Sequence, residues 1–199
     1  MVADSRLSDD ESFSIDCPVL VTARLVLRAP HVDDVPDLAR LANDRGVADM
    51  LGRMPHPYGE AEAAAFVASS ADAGEARYAL TDAETGAFIG CAGLNPVGGA
   101  LDLGYWIGRP HWGKGYATEA AQALVDLAFR ASNTDHLTVS CRVTNAASRR
   151  VIHKCGFQYA GQGMMNSLAA GQVTVERYRL DRKTWVGLKS WGGDRGTRG

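Results

Sequence analysis

The sequence lacks the features of metal-binding, membrane-spanning or strongly basic proteins. Its four cysteines (Cys17, Cys91, Cys141 and Cys155) form no Cys-x-x-Cys pair, which argues against a zinc site. Apolar runs stay far below the roughly 18 residues needed to cross a bilayer, and the acidic N-terminus lacks a signal-peptide core. A formal net charge of -2 gives no general attraction for nucleic acid or an anionic membrane. We therefore expect a cytoplasmic protein that binds no metal, no nucleic acid and no membrane.

The composition is ordinary for a globular protein with one core. Hydrophobic residues make up 46% of the chain and charged residues 22%, and 199 residues suffice for a single domain. We predict a polar, disordered segment over residues 1–17, a domain over 18–186 and a flexible, Gly-rich tail over 187–199. Cys91, Cys141 and Cys155 fall in apolar stretches, so we expect these three residues to be buried free thiols.

Periodicity and turn residues predict an α/β fold with a mixed sheet. Alternating apolar residues predict seven strands, at 19–28, 76–81, 87–94, 101–107, 137–143, 157–165 and 173–180. Helical spacing predicts four main helices, beginning at Asp33 or Asp34, at Glu60, after Gly115 and at Asn145, with a further short helical piece at 47–51. The second runs to Asp72 and the third to about Arg130. The succession of strand 101–107, helix and strand 137–143 predicts one parallel pair in a largely antiparallel sheet.

A glycine-rich turn joins strand 101–107 to the third helix. The segment Trp112-Gly-Lys-Gly-Tyr-Ala-Thr118 places Gly113 and Gly115 where a ligand can approach the backbone closely. The first amides of a helix lack internal partners and lie at the positive end of its dipole. An anion site for a phosphate or diphosphate follows, with Lys114 beside it. A glycine pair that only allows close packing explains the same pattern, and neither a Walker loop nor a Rossmann turn is present.

Four ordered motifs together resemble the GNAT N-acetyltransferases. They are Gly104-Tyr-Trp-Ile107, Trp112-Gly-Lys-Gly-Tyr-Ala-Thr-Glu-Ala120, Asn145-x-x-Ser148 and Lys154-Cys-Gly-Phe157. The segments Thr22-Ala-Arg-Leu-Val-Leu-Arg28 and Pro55-His-Pro-Tyr58 also match, so the resemblance covers about residues 20–182. The branch it resembles most is that of the ribosomal-protein N-terminal (RimJ/RimL-type) acetyltransferases. Trp112 stands where the usual acyl-CoA signature has Arg or Gln, as is frequent in that branch.

The resemblance implies a GNAT fold that binds acetyl-CoA in a cleft between two splayed parallel strands. It implies a mostly antiparallel sheet of about seven strands with about four flanking helices. The implied cofactor-binding residues are Trp106, Ile107, Trp112, Gly113, Lys114, Gly115, Tyr116, Ala117, Thr118, Asn145 and Ser148. Ser148 would also donate a proton to the leaving CoA sulfur, although it can equally be an apolar-face position of its helix. Asn145 can be only a helix cap.

The implied activity is direct acetyl transfer to a primary amine, and the general base is the least defined part of it. No Asp or Glu occurs between Gln158 and Gln172, where some relatives carry a carboxylate. Asp102 is the preferred base, and Glu176 is a lower-ranked candidate. Alternatively, Asp102 is simply a solvated charge at the end of its strand. Glu119 is interpreted as structural because it lies near the positive helix start.

The acceptor and the oligomeric state stay open at the level of sequence. His56 and Tyr58 lie in a proline-containing loop and are candidates for an acceptor pocket, or simply parts of a constrained loop. The acceptor is a protein N-terminal α-amine, or alternatively a small amine, an amino acid or an antibiotic. A non-catalytic acyl-CoA-binding regulatory module is the third alternative. The chain is a monomer or a homodimer.

Overall fold

The computed structural model describes residues 17–69 and 75–193, and it describes side chains as far as residue 190. Within these ranges the chain forms one mixed sheet in the order β1-β2-β3-β4-β5-β6-β8-β7. The strands are β1 Leu20–Val21, β2 Leu25–Arg28, β3 Ala76–Asp82, β4 Phe88–Val97, β5 Ala100–Ile107, β6 His136–Arg142, β7 Gln158–Ser167 and β8 Gly171–Asp181. The α-helices are α1 Val35–Ala42, α2 Arg45–Ala48, α3 Glu60–Ala68, α4 Tyr116–Ala131, α5 Ala146–Lys154 and α6 Arg182–Gly193.

The sheet is the central layer, with helices on both faces. Successive side chains of a strand point to opposite faces, so Tyr78 and Leu80 enter one core cluster while Ala79 enters the other. The first cluster packs β-strand side chains against α4 and α5, and includes Leu124 and Ile152. The second packs the opposite face against α1, α2 and α3. The predicted burial of Cys91, Cys141 and Cys155 is confirmed.

The predicted parallel pair is confirmed, and its short extent shapes the molecule. β5 pairs with β6 in parallel only at Leu101–Leu137 and Asp102–Thr138, whereas the other neighbouring strands are antiparallel. Both strands continue past this point without pairing to each other. The edge of β5 beyond Asp102 is therefore open on the side of β6.

The prediction of one strand over 19–28 is wrong, because the structure has two strands there, β1 and β2. The amide of Thr22 donates to the carbonyl of Leu25 at 2.9 Å, and the amide of Leu25 donates to the Thr22 hydroxyl at 3.0 Å. This turn folds β1 back on β2 and gives eight strands instead of about seven. The Ala-rich helix α3 ends at Ala68, and residues 70–72 of its predicted span lie outside the described residues. Residues 1–16 of the predicted disordered segment also lie outside them.

The C-terminal part departs from the prediction as well. A flexible tail was expected from residue 187, but α6 continues to Gly193. Tertiary contacts anchor this helix: the Trp185 ring lies 5.2 Å from that of Phe129, and its indole donates to Asp126. Lys189 forms an ion pair with the same carboxylate. None of the helices in residues 17–69 and 75–193 combines the length and apolar character that crossing a membrane requires.

Candidate functional site

A large cavity opens where β5 and β6 part. Its volume is about 1000 Å³, at the upper end of the range for small-molecule sites. One end lies at the glycine turn before α4 and the other at α2 and the loop that follows it. Strands β5 and β6 and the start of α5 form the wall between these ends. The cavity thus connects the predicted anion site with the predicted acceptor loop.

The glycine turn has the backbone shape that the sequence predicts. Gly113 and Gly115 have φ values of 76° and 86°, a left-handed conformation that side chains disfavour. The amides of Thr118 and Glu119 donate to the Gly115 carbonyl, as in a regular helix start. The residues Gly113, Gly115, Tyr116 and Ala117 line the cavity, whereas Lys114 and Thr118 are not among its lining residues.

The end of β5 lies beside this turn. Trp106, Ile107 and Trp112 all line the cavity. The Trp112 indole donates to the Ile107 carbonyl at 2.7 Å, which ties the glycine turn to the strand. The Trp106 ring packs 6.3 Å from that of Phe88 on the sheet face that carries α1 to α3.

Asn145 and Ser148 lie at the start of α5, and Ser148 contacts Tyr105, which the sequence did not indicate. Asn145 caps α5 by accepting the Ser148 amide at 3.0 Å, and both residues line the cavity. The Ser148 hydroxyl lies 2.8 Å from the phenol of Tyr105, which reaches it from β5. Burial raises the pKa of Tyr105, so its proton is retained at neutral pH. Two hydroxyl groups therefore form a connected pair on the cavity wall.

Asp102 lies at the last paired position of β5 and β6. The Thr138 hydroxyl donates to its Oδ1 at 2.7 Å across that pair. Burial raises the pKa of Asp102, and this effect outweighs the hydrogen bond from Thr138 and the positive charge of Arg53, which act to lower it. Asp102 lines the cavity, so it is a partly desolvated carboxylate in a cleft, a typical property of catalytic bases.

The end of the cavity near α2 and the predicted acceptor loop combines apolar side chains with arginines. Its charged residues include Glu75, Arg53, Arg77 and Arg142. Glu75 pairs with Arg53 and Arg77, and Arg142 donates to the carbonyl of Asp49 at the end of α2. The apolar residues there include Met50, Leu51, Met54, Phe66 and Met165. Burial raises the pKa of Tyr58 to about 12, and this residue lines the cavity.

Two other sequence candidates lie away from the cavity wall. His56 is not among its lining residues, and its buried Nδ1 has no hydrogen-bond partner in the part of the chain that the structure describes. Glu176, the lower-ranked base, pairs with Arg149 and accepts a hydrogen bond from Tyr178 at 2.9 Å. It is also absent from the lining, so Asp102 is the better placed carboxylate. Among the described residues, no cluster of three or more His, Cys, Asp or Glu side chains is placed to bind a metal.

Sequence reasoning missed Tyr105 and Thr138 as site residues. Strand alternation indicated that Tyr105 and Asp102 lie on opposite faces of β5, but no signal indicated which helix Tyr105 meets. The Thr138 contact depends on the register of β5 against β6, which sequence periodicity does not determine. Cys91 and Cys141, expected only in the core, lie at the cavity wall.

Comparison with known proteins agrees with this architecture. The model of the acetyltransferase (GNAT) domain matches residues 24–158. The uncharacterized N-acetyltransferase p20 of Bacillus licheniformis is 30% identical over 176 residues, which cover 84% of this chain and 98% of that protein. The structure of RimL, a ribosomal L7/L12 α-N-protein acetyltransferase in complex with coenzyme A, matches with a TM-score of 0.68 at 21% identity, over 82% of this chain and 97% of RimL.

A second solved structure has the same fold. The spermidine N-acetyltransferase from Vibrio cholerae, in complex with CoA and spermine, matches with a TM-score of 0.70 at 22% identity. The match covers 83% of this chain and 99% of that one. The family model spans more than half of the chain, and the p20 relative is 30% identical over 84% of the chain. This chain therefore belongs to the GNAT family of N-acetyltransferases.

Proposed function

We propose that this acetyltransferase uses acetyl-CoA and transfers the acetyl group directly to a primary amine, with a protein N-terminal α-amine as the acceptor. The observation that carries the proposal is the single cavity that joins the glycine turn of α4, the Ser148–Tyr105 pair and Asp102. RimL, which has the same fold and binds coenzyme A, acts on a protein α-amine. An α-amine has a pKa of about 7.7 to 8.0, against about 10.4 for lysine, and so needs less help from a base.

The residues of the cavity fit acetyl-CoA. Gly113 leaves space at the helix start, since no described neighbour lies within 4 Å of a Cβ built on it. Amides at a helix start suit a diphosphate. The open edge of β5 past Asp102 suits the amide-containing pantetheine arm, which can align like an added strand. When bound, acetyl-CoA supplies an acetyl group activated as a thioester.

The chain's own residues would then accept the proton of the amine and supply one to the leaving sulfur. Ionised Asp102 accepts a proton from the acceptor amine at its free Oδ2, while Thr138 holds Oδ1. The Ser148 hydroxyl donates its proton to the leaving CoA sulfur and recovers one from solvent, while the phenol of Tyr105 keeps its own proton and orients the serine hydroxyl through the 2.8 Å contact. Backbone amides near Trp106 and Ile107 orient the acetyl carbonyl. The partly buried Asp102 supplies a base, which favours an enzyme over a non-catalytic acyl-CoA-binding module.

Acetylation of a small amine is the second candidate function. The spermidine N-acetyltransferase from Vibrio cholerae, which has the same fold, was solved in complex with CoA and spermine. Two carboxylates, Asp102 and Glu75, line this chain's cavity and could attract a cationic amine. Glu75 is already paired with Arg53 and Arg77, however, which reduces that attraction. We therefore rank a small polyamine below a peptide.

The cofactor assignment is tested by calorimetric titration of acetyl-CoA into wild type and Gly115→Asp. We expect binding by wild type and none by the variant, because the new carboxylate would lie beside the diphosphate. Gly98→Asp is the matched control: Gly98 also has a positive φ, of 56°, with nothing within 4 Å of its Cβ position, but lies in the β4–β5 turn outside the cavity. Undiminished binding by folded Gly115→Asp would contradict the assignment.

The acceptor assignment is tested by following CoA release with a thiol reagent. A panel of peptides, free amino acids and polyamines is offered to the wild-type protein. We expect release with peptides that carry a free α-amine and much less with N-formylated versions of the same peptides. A preference for polyamines would favour the second candidate, and binding of acetyl-CoA without release for any amine would favour the binding module.

A further inference from the structure

A charged cluster connects the N-terminal hairpin to the glycine turn across more than 90 residues. Arg24 lies in the turn between β1 and β2, and its Nη1 donates to the Lys114 carbonyl at 2.8 Å. Its Nε donates to Oε2 of Glu119 at 2.8 Å, and its backbone amide donates to Oε1 at 2.8 Å. The Thr22 hydroxyl donates to the same Oε1 at 2.7 Å. Thr22 and Arg24 thus share the Glu119 carboxylate, and Arg24 alone links it to the carbonyl of Lys114.

The contact with Lys114 fixes a peptide unit of the glycine turn. The carbonyl of Lys114 and the amide of Gly115 belong to one planar, trans peptide group and point in opposite directions. Because Arg24 holds the carbonyl, the Gly115 amide points away from the guanidinium. The guanidinium also lies over the Tyr116 ring, 4.9 Å from its centre, and Nη2 lies 3.3 Å from the Cβ position of Gly115. Arg24 therefore restrains the turn at three successive residues.

Arg24 also offsets a negative charge at the start of α4. Glu119 lies in the first turn of α4, where a carboxylate stabilises the helix but repels another anion at the same helix start. The Arg24 guanidinium lies 2.7 Å from that carboxylate, and 48% of the arginine side chain remains exposed. It offsets the charge of Glu119 where a diphosphate would bind, and no other ion pair to Glu119 occurs among the described residues.

We propose that Arg24 is a positioning residue for the diphosphate of the acyl-CoA donor: it orients the Gly115 peptide and neutralises Glu119. This inference rests on the proposed function, since it takes the helix start of α4 as the diphosphate site. Its role is distinct from that of the Asp102 end of the cavity. Loss of Arg24 should weaken donor binding without changing the proton-transfer groups.

The test compares CoA with pantetheine, which lacks the diphosphate together with the 3′-phosphoadenosine attached to it. CoA and pantetheine are titrated into full-length wild type and Arg24→Gln, CoA by calorimetry and pantetheine by ligand-observed NMR at millimolar concentration. We expect Arg24→Gln to bind CoA about tenfold more weakly, the scale of one charge-assisted contact. Pantetheine affinity should change less than twofold. Undiminished CoA binding, or an equal loss for both ligands, would overturn the proposal.

Two further variants separate charge from structural damage. Glu119→Gln keeps the Arg24 guanidinium, so we expect CoA to bind at least as tightly as in wild type; a tenfold loss in the folded variant would refute the electrostatic argument even if Arg24→Gln did not fold. Arg179→Gln is the matched control, because its side chain is also 48% exposed and paired to a carboxylate but lies on β8 outside the cavity. We expect its CoA affinity to equal that of wild type. If wild type itself binds no CoA, the proposed function is wrong. If wild type and Arg24→Gln bind CoA with equal affinity, only the role of Arg24 is wrong.

Discussion

At the scale of single residues, Asp102 shows how position changes the properties of a carboxylate. At the end of an exposed strand it would be an ordinary solvated charge. Here it is the last residue at which β5 pairs with β6, and burial raises its pKa while Thr138 partly opposes that shift. A base with a raised pKa accepts a proton more readily at neutral pH, which is the property that amine acetylation requires.

The pH dependence of kcat/KM should therefore respond to Thr138. Asp102 must be ionised to act as a base, so the rate should fall as pH falls through its pKa. Thr138→Val removes a hydrogen bond that favours the ionised form, so the acidic limb should move to higher pH, by up to about one unit. Rate profiles from pH 4 to pH 9 measure this shift.

Two comparisons make this prediction specific. Asp102→Asn should lower kcat by about a hundredfold or more and remove that acidic limb. Thr174→Val is the control. Within residues 17–69 and 75–190 its hydroxyl on β8 has one hydrogen-bond partner, the sulfur of Met164, and Thr174 does not line the cavity. An acidic limb that stays in place in Thr138→Val would exclude Asp102 as the group that titrates.

At the scale of secondary-structure elements, the contact between β4 and β5 determines where the cavity wall lies. A Cβ built on Gly90 would lie 2.2 Å from the carbonyl oxygen of Trp106 and 3.0 Å from the Cα of Ile107. Both neighbours are backbone atoms, which cannot rotate out of the way. Gly90 therefore allows the pairing that positions the end of β5 beside the glycine turn.

Gly90→Ala should destabilise the protein by at least about 3 kcal/mol, because the two strands must separate locally. Gly187→Ala is the opposite case: nothing lies within 4 Å of its Cβ position in α6, so replacing a helical glycine should stabilise by up to about 1 kcal/mol. Urea unfolding of both variants gives the two free energies. A stability of Gly90→Ala close to that of wild type would show that β4 and β5 are not packed this closely.

At the scale of the whole molecule, buried carboxylate pairs connect stability to pH. Asp34 is 6% exposed and accepts hydrogen bonds from both Arg28 Nη atoms and from the His31 amide. Burial acts to raise its pKa, but the Arg28 and His31 contacts outweigh that effect and lower it. The pKa of Glu119 is lowered in the same way, since its contacts with Thr22 and Arg24 outweigh burial.

Because these pKa values are lowered by folding, their contribution to stability is complete above the unfolded values, about 3.9 for Asp and 4.3 for Glu. It is lost as pH falls through the folded values. We expect the thermal midpoint to drop below about pH 4, and Asp34→Asn to cost about 2 kcal/mol at pH 7 with a shallower acid dependence. Asp181→Asn, at an exposed pair with Arg179, should change stability by less than about 0.5 kcal/mol. Equal acid dependence in Asp34→Asn and wild type would contradict this assignment.

The sequence alone determined most of the elements that form, and its glycine turn predicts an anion site. Local periodicity predicted β3 to β8, α4 and α5 within a few residues, because the apolar spacing and caps of these elements are local properties. Gly113 and Gly115 follow the same logic, since a left-handed turn before a helix selects glycine. The four ordered motifs predicted the GNAT family, which the comparisons establish.

Only the tertiary structure decided which of these residues meet. The Tyr105–Ser148, Thr138–Asp102 and Arg24–Glu119 contacts join residues 36 to 95 positions apart, and each depends on strand register or helix packing. The position of α6 likewise depends on tertiary contacts, since Trp185 packs against Phe129 and Lys189 pairs with Asp126. Local patterns specify the conformation of each segment, whereas long-range packing determines which side chains share the cavity.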